Sequence, residues 1–142
     1  MEQWAKRWPN AGTGGACGRL VAIDIDRLDD AAAKDAERQA RAMLGDTPLV
    51  RIGRAPKRVL LYRAAGEPFT SFKAGDCEVL ALGRQVVLVH LHPDTGQPYV
   101  WPEESPLDVP LSALPAVKEE AARRWLDAVT GTRPAGAALV AT

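Results

Sequence analysis

The six residues VAIDID, 21–26, set two carboxylates inside a run that otherwise reads as a buried β-strand. Alternation along a strand sends residues i and i+2 to the same face, so Asp24 and Asp26 lie side by side, with Ala22, Ile23 and Ile25 as apolar flanks. Two like charges that close repel, and partial burial raises the cost of keeping both ionised. A cation between them relieves both problems, and hard oxygen donors in this pattern suit Mg²⁺ or Mn²⁺. The plainer alternative is a strand running out into a loop, with Asp26 capping the next element. Either way, the chain is committed to a sheet in which this strand is buried.

At 142 residues the chain is long enough for one domain, 1–142, with a sizeable core and no need of staples. Lys plus Arg (18) balances Asp plus Glu (18), so no global field argues for nucleic acid or membrane. The distribution says more than the sum. Arg51, Arg54, Lys57, Arg58 and Arg63 fall in thirteen residues with no acid among them. Cys17 and Cys77 are too few and too far apart for a metal motif, and two free thiols are the simpler expectation. No signal peptide and no apolar stretch of membrane-spanning length is visible, which reads as a cytoplasmic protein with no membrane partner.

The first twenty residues are aromatic, then glycine-rich: Trp4, Trp8 and Pro9 precede Gly12, Gly14, Gly15 and Gly18. A strand rather than a helix follows, so this is no phosphate-binding fingerprint but a loop leading to the first strand. Residues 29–44 predict a helix, capped by Asp29 or Asp30, striped by Ala32, Ala36, Ala40 and Met43–Leu44, and stopped by Gly45. LVRI (49–52) and RVLLYRA (58–64) read as strands and 65–76 as a polar loop. CEVLAL (77–82) and QVVLVHLH (85–92) predict a hairpin around Gly83–Arg84, followed by a short strand at Tyr99–Trp101. Residues 115–130 predict a second helix with the stripe Val117, Ala121, Trp125, Leu126 and Val129, ended by Gly131, and 131–142 a frayed tail. This order argues for an α+β domain: a small, mostly antiparallel sheet with helices packed on one face.

Three blocks in this order resemble the N-terminal primase–polymerase domain of the archaeo-eukaryotic primase superfamily, as found in phage and plasmid replication proteins. WAKRWPNAGTGGACGRLVAIDID is similar to that family's opening, RIGRAPKRVLLYR to its second block, and CEVLALGRQVVLVHLHPDTGQPYVW to its third, which ends in a His-Pro–x-Thr-Gly–x-x-Tyr–x-Trp turn. The resemblance implies an RRM-like sheet and DNA-directed nucleotidyl transfer with two divalent cations, Mg²⁺ or Mn²⁺. Asp24, Asp26 and Glu78 become the catalytic, metal-holding acids. Two departures stand out. Lys57–Arg58 occupy the place of a second-block histidine that contacts the incoming nucleotide's phosphates in many members. The segment usual before Trp-Pro-Asn and the domains usual behind are absent, as in a domain fragment or a minimal stand-alone version.

The chemistry of these residue types agrees. Two metals clamp the attacking and leaving oxygens of phosphoryl transfer and need about three carboxylates. The triphosphate brings excess negative charge, for which arginine's planar fork is suited. Arg51, Arg54, Lys57, Arg58 and His92 are therefore the expected nucleotide-binding residues. Each has a bland alternative: Glu78 as a solvent-facing hairpin residue, the basic cluster as a charged sheet edge, and Tyr99 and Trp101 as core rather than base-stacking aromatics. His90 and His92 share a face, but no third ligand is spaced to make a zinc site. The expected partners are nucleoside triphosphates and a single-stranded or primed DNA template, with room for a helicase domain or protein. The rival functions are a metal-dependent nuclease and a catalytically inactive nucleotide- or strand-binding module.

Overall fold

The computed structural model describes residues 14–87, 100–106 and 108–131, without the side chains of 14–16, 85 and 87. In chain order the elements are β1 (Gly14–Ala16), β2 (Leu20–Ile25), α1 (Asp30–Leu44), β3 (Val50–Arg51), β4 (Arg58–Ala64), β5 (Phe72–Ala74), β6 (Cys77–Leu80), β7 (Gln85–Val87), a 3₁₀ turn at Leu111–Ala113, β8 (Ala116–Val117) and α2 (Glu119–Thr130). The main sheet has the order β3-β4-β2-β6-β5, and β8 pairs in parallel with the far end of β4. Its other pairings are antiparallel. The α+β architecture with a small, mostly antiparallel sheet is therefore as the pattern predicts.

Strand β2 lies in the middle, bonded to β4 along one edge and to β6 along the other. Both faces of the sheet are covered. Val21, Ile23 and Ile25 point to one side, where they pack with Leu60, Tyr62, Val79 and both helices. Leu20 and Ala22 point to the other side, where they pack with Leu61, Leu80, Val86, Val109 and Leu114. The helices share the first face because each carries a stripe of small or apolar residues: Ala33, Ala36, Ala40 and Leu44 on α1, and Ala122, Trp125 and Leu126 on α2. Trp125 is fully buried between them, and its Nε1 donates to the Ala36 carbonyl oxygen at 3.0 Å. Asp29 caps α1 by accepting from the Ala32 N–H at 2.8 Å, and Gly131 ends α2 in the left-handed conformation that glycine adopts without strain.

Three expectations about the strands need correction. CEVLAL and QVVLVHLH do not form a hairpin: β6 pairs with β5, through the two-residue turn Gly75–Asp76, while the described part of β7 pairs with β1 in a separate two-stranded sheet. Both edges of β6 are already taken by β2 and β5, so no edge is left for β7. The supposed polar loop 65–76 accordingly contains a strand, Phe72–Ala74, and Gly75 (φ +59°) supplies the turn. The glycine loop before β2 is in part strand β1. Of the short strand at Tyr99–Trp101, Val100 forms an isolated antiparallel bridge with Ile52, with N–H to O distances of 2.8 Å both ways. Val117 lies on β8 rather than on the second helix. Trp4, Trp8, His90, His92, Tyr99 and the tail from 132 onward lie outside the described residues.

Candidate active site

One row across the sheet carries the charges. In register, Arg51 of β3 faces Val59 of β4, Val59 faces Asp24 of β2, Asp24 faces Glu78 of β6, and Glu78 faces Lys73 of β5. Residues directly opposite one another in an antiparallel pair project from the same face with Cβ atoms about 5 Å apart. Two acids thus occupy the inner strands and two cations the outer ones, all on the face away from the helices. Asp26 follows two residues after Asp24, just beyond the end of β2. Its backbone N–H donates to the Asp76 carbonyl oxygen at 3.0 Å, which holds the chain in line with β6.

The three acids differ in how their charge is met. Asp26, its side chain 56% exposed, accepts an ion pair from the Lys57 Nζ at 2.6 Å. Glu78, at 15%, accepts from an Arg84 guanidinium nitrogen at 2.9 Å. Asp24 makes no hydrogen bond or salt bridge among the described residues. Burial and the neighbouring Asp26 push its carboxyl up from 3.8 to about 6; Glu78 adds to this, and Arg51 and Lys57 oppose it. A half-buried acid raised by desolvation and by two other carboxylates is the electrostatic situation that a bound cation relieves. As the side chains stand, however, no group of three or more His, Cys, Asp or Glu is arranged to hold a metal ion among the described residues.

Of the basic residues expected at a nucleotide, Arg51 and Lys57 stand close enough to Asp24 to affect its ionisation. Arg54 sits at the exposed turn, where its carbonyl oxygen accepts from the Lys57 N–H at 3.0 Å. Arg58 goes elsewhere. It faces Ile25 across the sheet and so points to the helix side, where it meets Glu37 of α1 at 2.5 Å and donates to the Pro56 carbonyl oxygen at 2.9 Å. Arg41 joins the same carboxylate at 2.9 Å. Burial raises Glu37, but hydrogen bonds from Arg58 and Arg41 outweigh it and hold the carboxyl below the usual range. Trp101 packs partly buried against the core of the acid-bearing face, and Trp125 is core as expected.

Two residues at the row escaped the sequence reading: Lys73 and Arg84. Lys73 could have been found from the alternation FKA–Gly-Asp–CEV, in which a two-residue turn sets Lys73 opposite Glu78. Nothing in the sequence marks Arg84, whose meeting with Glu78 depends on the path of the chain after β6.

With that geometry in view, the comparisons with known proteins are decisive on family. The model of the bifunctional DNA primase/polymerase N-terminal domain matches residues 1–117. The chain belongs to that family. No curated protein and no solved structure matches it. The matched span takes in all five strands of the acid-bearing row and α1 and stops before α2. The family is one of DNA primases and polymerases, and among the described residues no helix is long and apolar enough to cross a membrane.

Proposed function

We propose that this primase–polymerase domain is a template-directed nucleotidyltransferase that adds nucleotides to a 3′ end by a two-metal mechanism, in the replication of phage or plasmid DNA. The observation that carries the reading is the register pairing of Asp24 with Glu78, with Asp26 two residues on, in a chain of this family. Asp24, Asp26 and Glu78 would hold Mg²⁺ or Mn²⁺. The donor set fits such ions: all three are hard oxygen ligands, and burial together with the neighbouring carboxylates already raises Asp24. Bound cations would supply charge neutralisation at the attacking 3′-hydroxyl and at the transferred phosphoryl group.

The chain's own residues do the rest. Lys57 and Arg84 neutralise Asp26 and Glu78 through contacts at least half open to solvent on one partner, and exposed pairs of this kind are worth only about 0.2–1 kcal/mol. Exchanging them is cheap. With the acids holding a metal, both cations would be free beside the row to meet the phosphates of a triphosphate. Arg51, at the β3 end of the row, binds phosphate in the same way with its planar fork. In the place of the second-block histidine, Lys57 supplies an ammonium group as a point charge for phosphate. Arg58 is not part of this set; it anchors the turn that presents Lys57.

The test is to incubate the pure chain with a primed template, Mg²⁺ or Mn²⁺, and each nucleotide type. Metal-dependent extension is the expected result. Shortening of the strand instead would establish a nuclease, and DNA binding without turnover an inert module. Calorimetric titration in Mg²⁺ adds a second check. The triphosphate should bind more tightly than its monophosphate, and Arg51→Ala should remove most of that difference; equal wild-type affinities would count against a polymerase.

A further inference from the structure

Beyond the acid row, the same face of the sheet carries a second cationic cleft. It opens at the other end of β2 and β4, lined by Arg19, Arg63, Ala64, Pro110, Leu111 and Ser112. Arg63 faces Leu20 in register, as Val59 faces Asp24, so it projects from the acid-bearing face four residues along β4. At 3.3 Å per residue that separation is about 13 Å.

The charge of these two arginines is met differently from that of most others. Arg27 pairs with Asp76, Arg38 with Asp35, Arg41 and Arg58 with Glu37, Arg84 with Glu78, and Arg123 with Glu119. Arg19 and Arg63 form no ion pair with a carboxylate among the described residues, and no acidic residue lines their cleft. Arg63 is oriented nonetheless: its Nε donates to the Leu114 carbonyl oxygen at 2.8 Å, which fixes the guanidinium plane at the cleft wall. Arg19 is exposed and keeps its whole fork for a ligand. Two guanidinium groups without a counter-ion among the described residues, in one concave site beside a serine hydroxyl and a wall of Pro110, Leu111 and Ala64, match a phosphate diester with its apolar sugar edge.

We infer that this cleft binds the phosphate backbone of a nucleic-acid strand, gripped by Arg19 and Arg63 with Ser112. The inference rests on the reading of the domain as one that works on a DNA template, and it adds to that reading where the strand is held. The distance selects a strand over a free nucleotide. The phosphate chain of a triphosphate seated at Asp24 is shorter than that separation of about 13 Å, so its phosphates cannot occupy both places, whereas the span is the rise of roughly four stacked nucleotides. Among the described residues the cleft also has no acid to help hold a metal ion, which a free triphosphate would bring with it.

The experiment measures binding of a fluorescein-labelled oligothymidylate by anisotropy, over a salt series and without divalent metal, for wild type, Arg19→Ala and Arg63→Gln. Triphosphate binding in Mg²⁺ is titrated beside it. Each variant should weaken the oligonucleotide about tenfold and flatten the logarithmic salt slope by about 0.7, with triphosphate affinity unchanged. Arg19 is on the surface, so its variant decides the matter even if Arg63→Gln folds poorly. Oligonucleotide affinity and slope unchanged in Arg19→Ala, or no oligonucleotide binding by the wild type, would overturn the inference. So would a loss confined to the triphosphate, which would make the cleft a free-nucleotide site. If the wild type extends no primer while Arg19→Ala still weakens the oligonucleotide, the catalytic reading falls and the cleft stands. Extension with strand affinity indifferent to both variants removes the cleft alone.

Discussion

The two faces of one sheet treat a shielded carboxylate in opposite ways. On the helix side, Glu37 is met by Arg58 and Arg41 and lies below its ordinary range. On the other side, Asp24 has two acids for neighbours, takes no ion pair among the described residues, and is raised to about 6. The first arrangement is what a fold does when a charge must be stored: the acid holds together α1, β4 and the turn before it. The second is unfavourable in the metal-free protein and is expected where a ligand will supply the missing positive charge. Telling the two apart needs no knowledge of the reaction, only of what surrounds each carboxylate.

Asp24→Asn should give the largest effect and tests the contrast most severely. Primer extension should fall by about a thousandfold, while the melting temperature in metal-free buffer at pH 8 stays level or rises, because a repelled charge has been removed. Extension within a few-fold of wild type would end the idea that this acid is the one reserved for chemistry. Glu37→Gln should do the reverse. Losing the carboxylate leaves Arg58, 11% exposed, beside an uncharged partner, and denaturant titration should show a loss of about 3 kcal/mol. Extension per folded molecule should change little; a variant as stable as wild type would mean that the helix-side network stores nothing.

The pH dependence of stability sharpens the same comparison. Asp24 has a folded value above its unfolded one, so its contribution is fully present below about pH 4 and is lost as pH rises through about 6. Glu37, held below its ordinary range, contributes above that range and loses its contribution as pH falls. Denaturant melts without metal should therefore show the Asp24 share, about 3 kcal/mol, disappearing between pH 4 and 7 in wild type and absent in Asp24→Asn. Equal slopes in the two proteins would show that Asp24 ionises normally. Arg84→Ala should give the smallest effect, with two opposite signs. Mg²⁺ or Mn²⁺ should bind a few-fold more tightly, because Glu78 no longer has an internal cation to give up, and a triphosphate a few-fold more weakly. Changes of the same sign in both titrations would refute the exchange of partners.

Much of the acid-bearing strand was legible because it is short, strongly patterned and acid-marked. VAIDID and RVLLYRA are strands over nearly their expected residues, and α1 begins at its aspartate cap and ends at its glycine. What sequence could not give was partnership. CEVL pairs equally well on paper with the residues before or after it, each through a two-residue turn, and the chain takes the turn at Gly75–Asp76. The face of each basic residue was hidden for a related reason. RVLLYRA is apolar on both sides, so alternation does not say whether Arg58 or Val59 looks toward the helices. The cluster Arg51, Arg54, Lys57 and Arg58 therefore read as one group in the sequence and is split by the sheet.

Because β2 is bonded along both edges, its amides should be among the last to exchange with solvent deuterium, opening only when the whole sheet does. Lys57 and Arg84 hang from turns, each fixed through its backbone N–H to a carbonyl three residues back. Such turns open locally at little cost and exchange early. The acids are thus carried by the slowest part of the molecule and their stand-in cations by some of the fastest. A metal arriving at the row would meet donors whose backbone opens last and counter-ions whose turns open first.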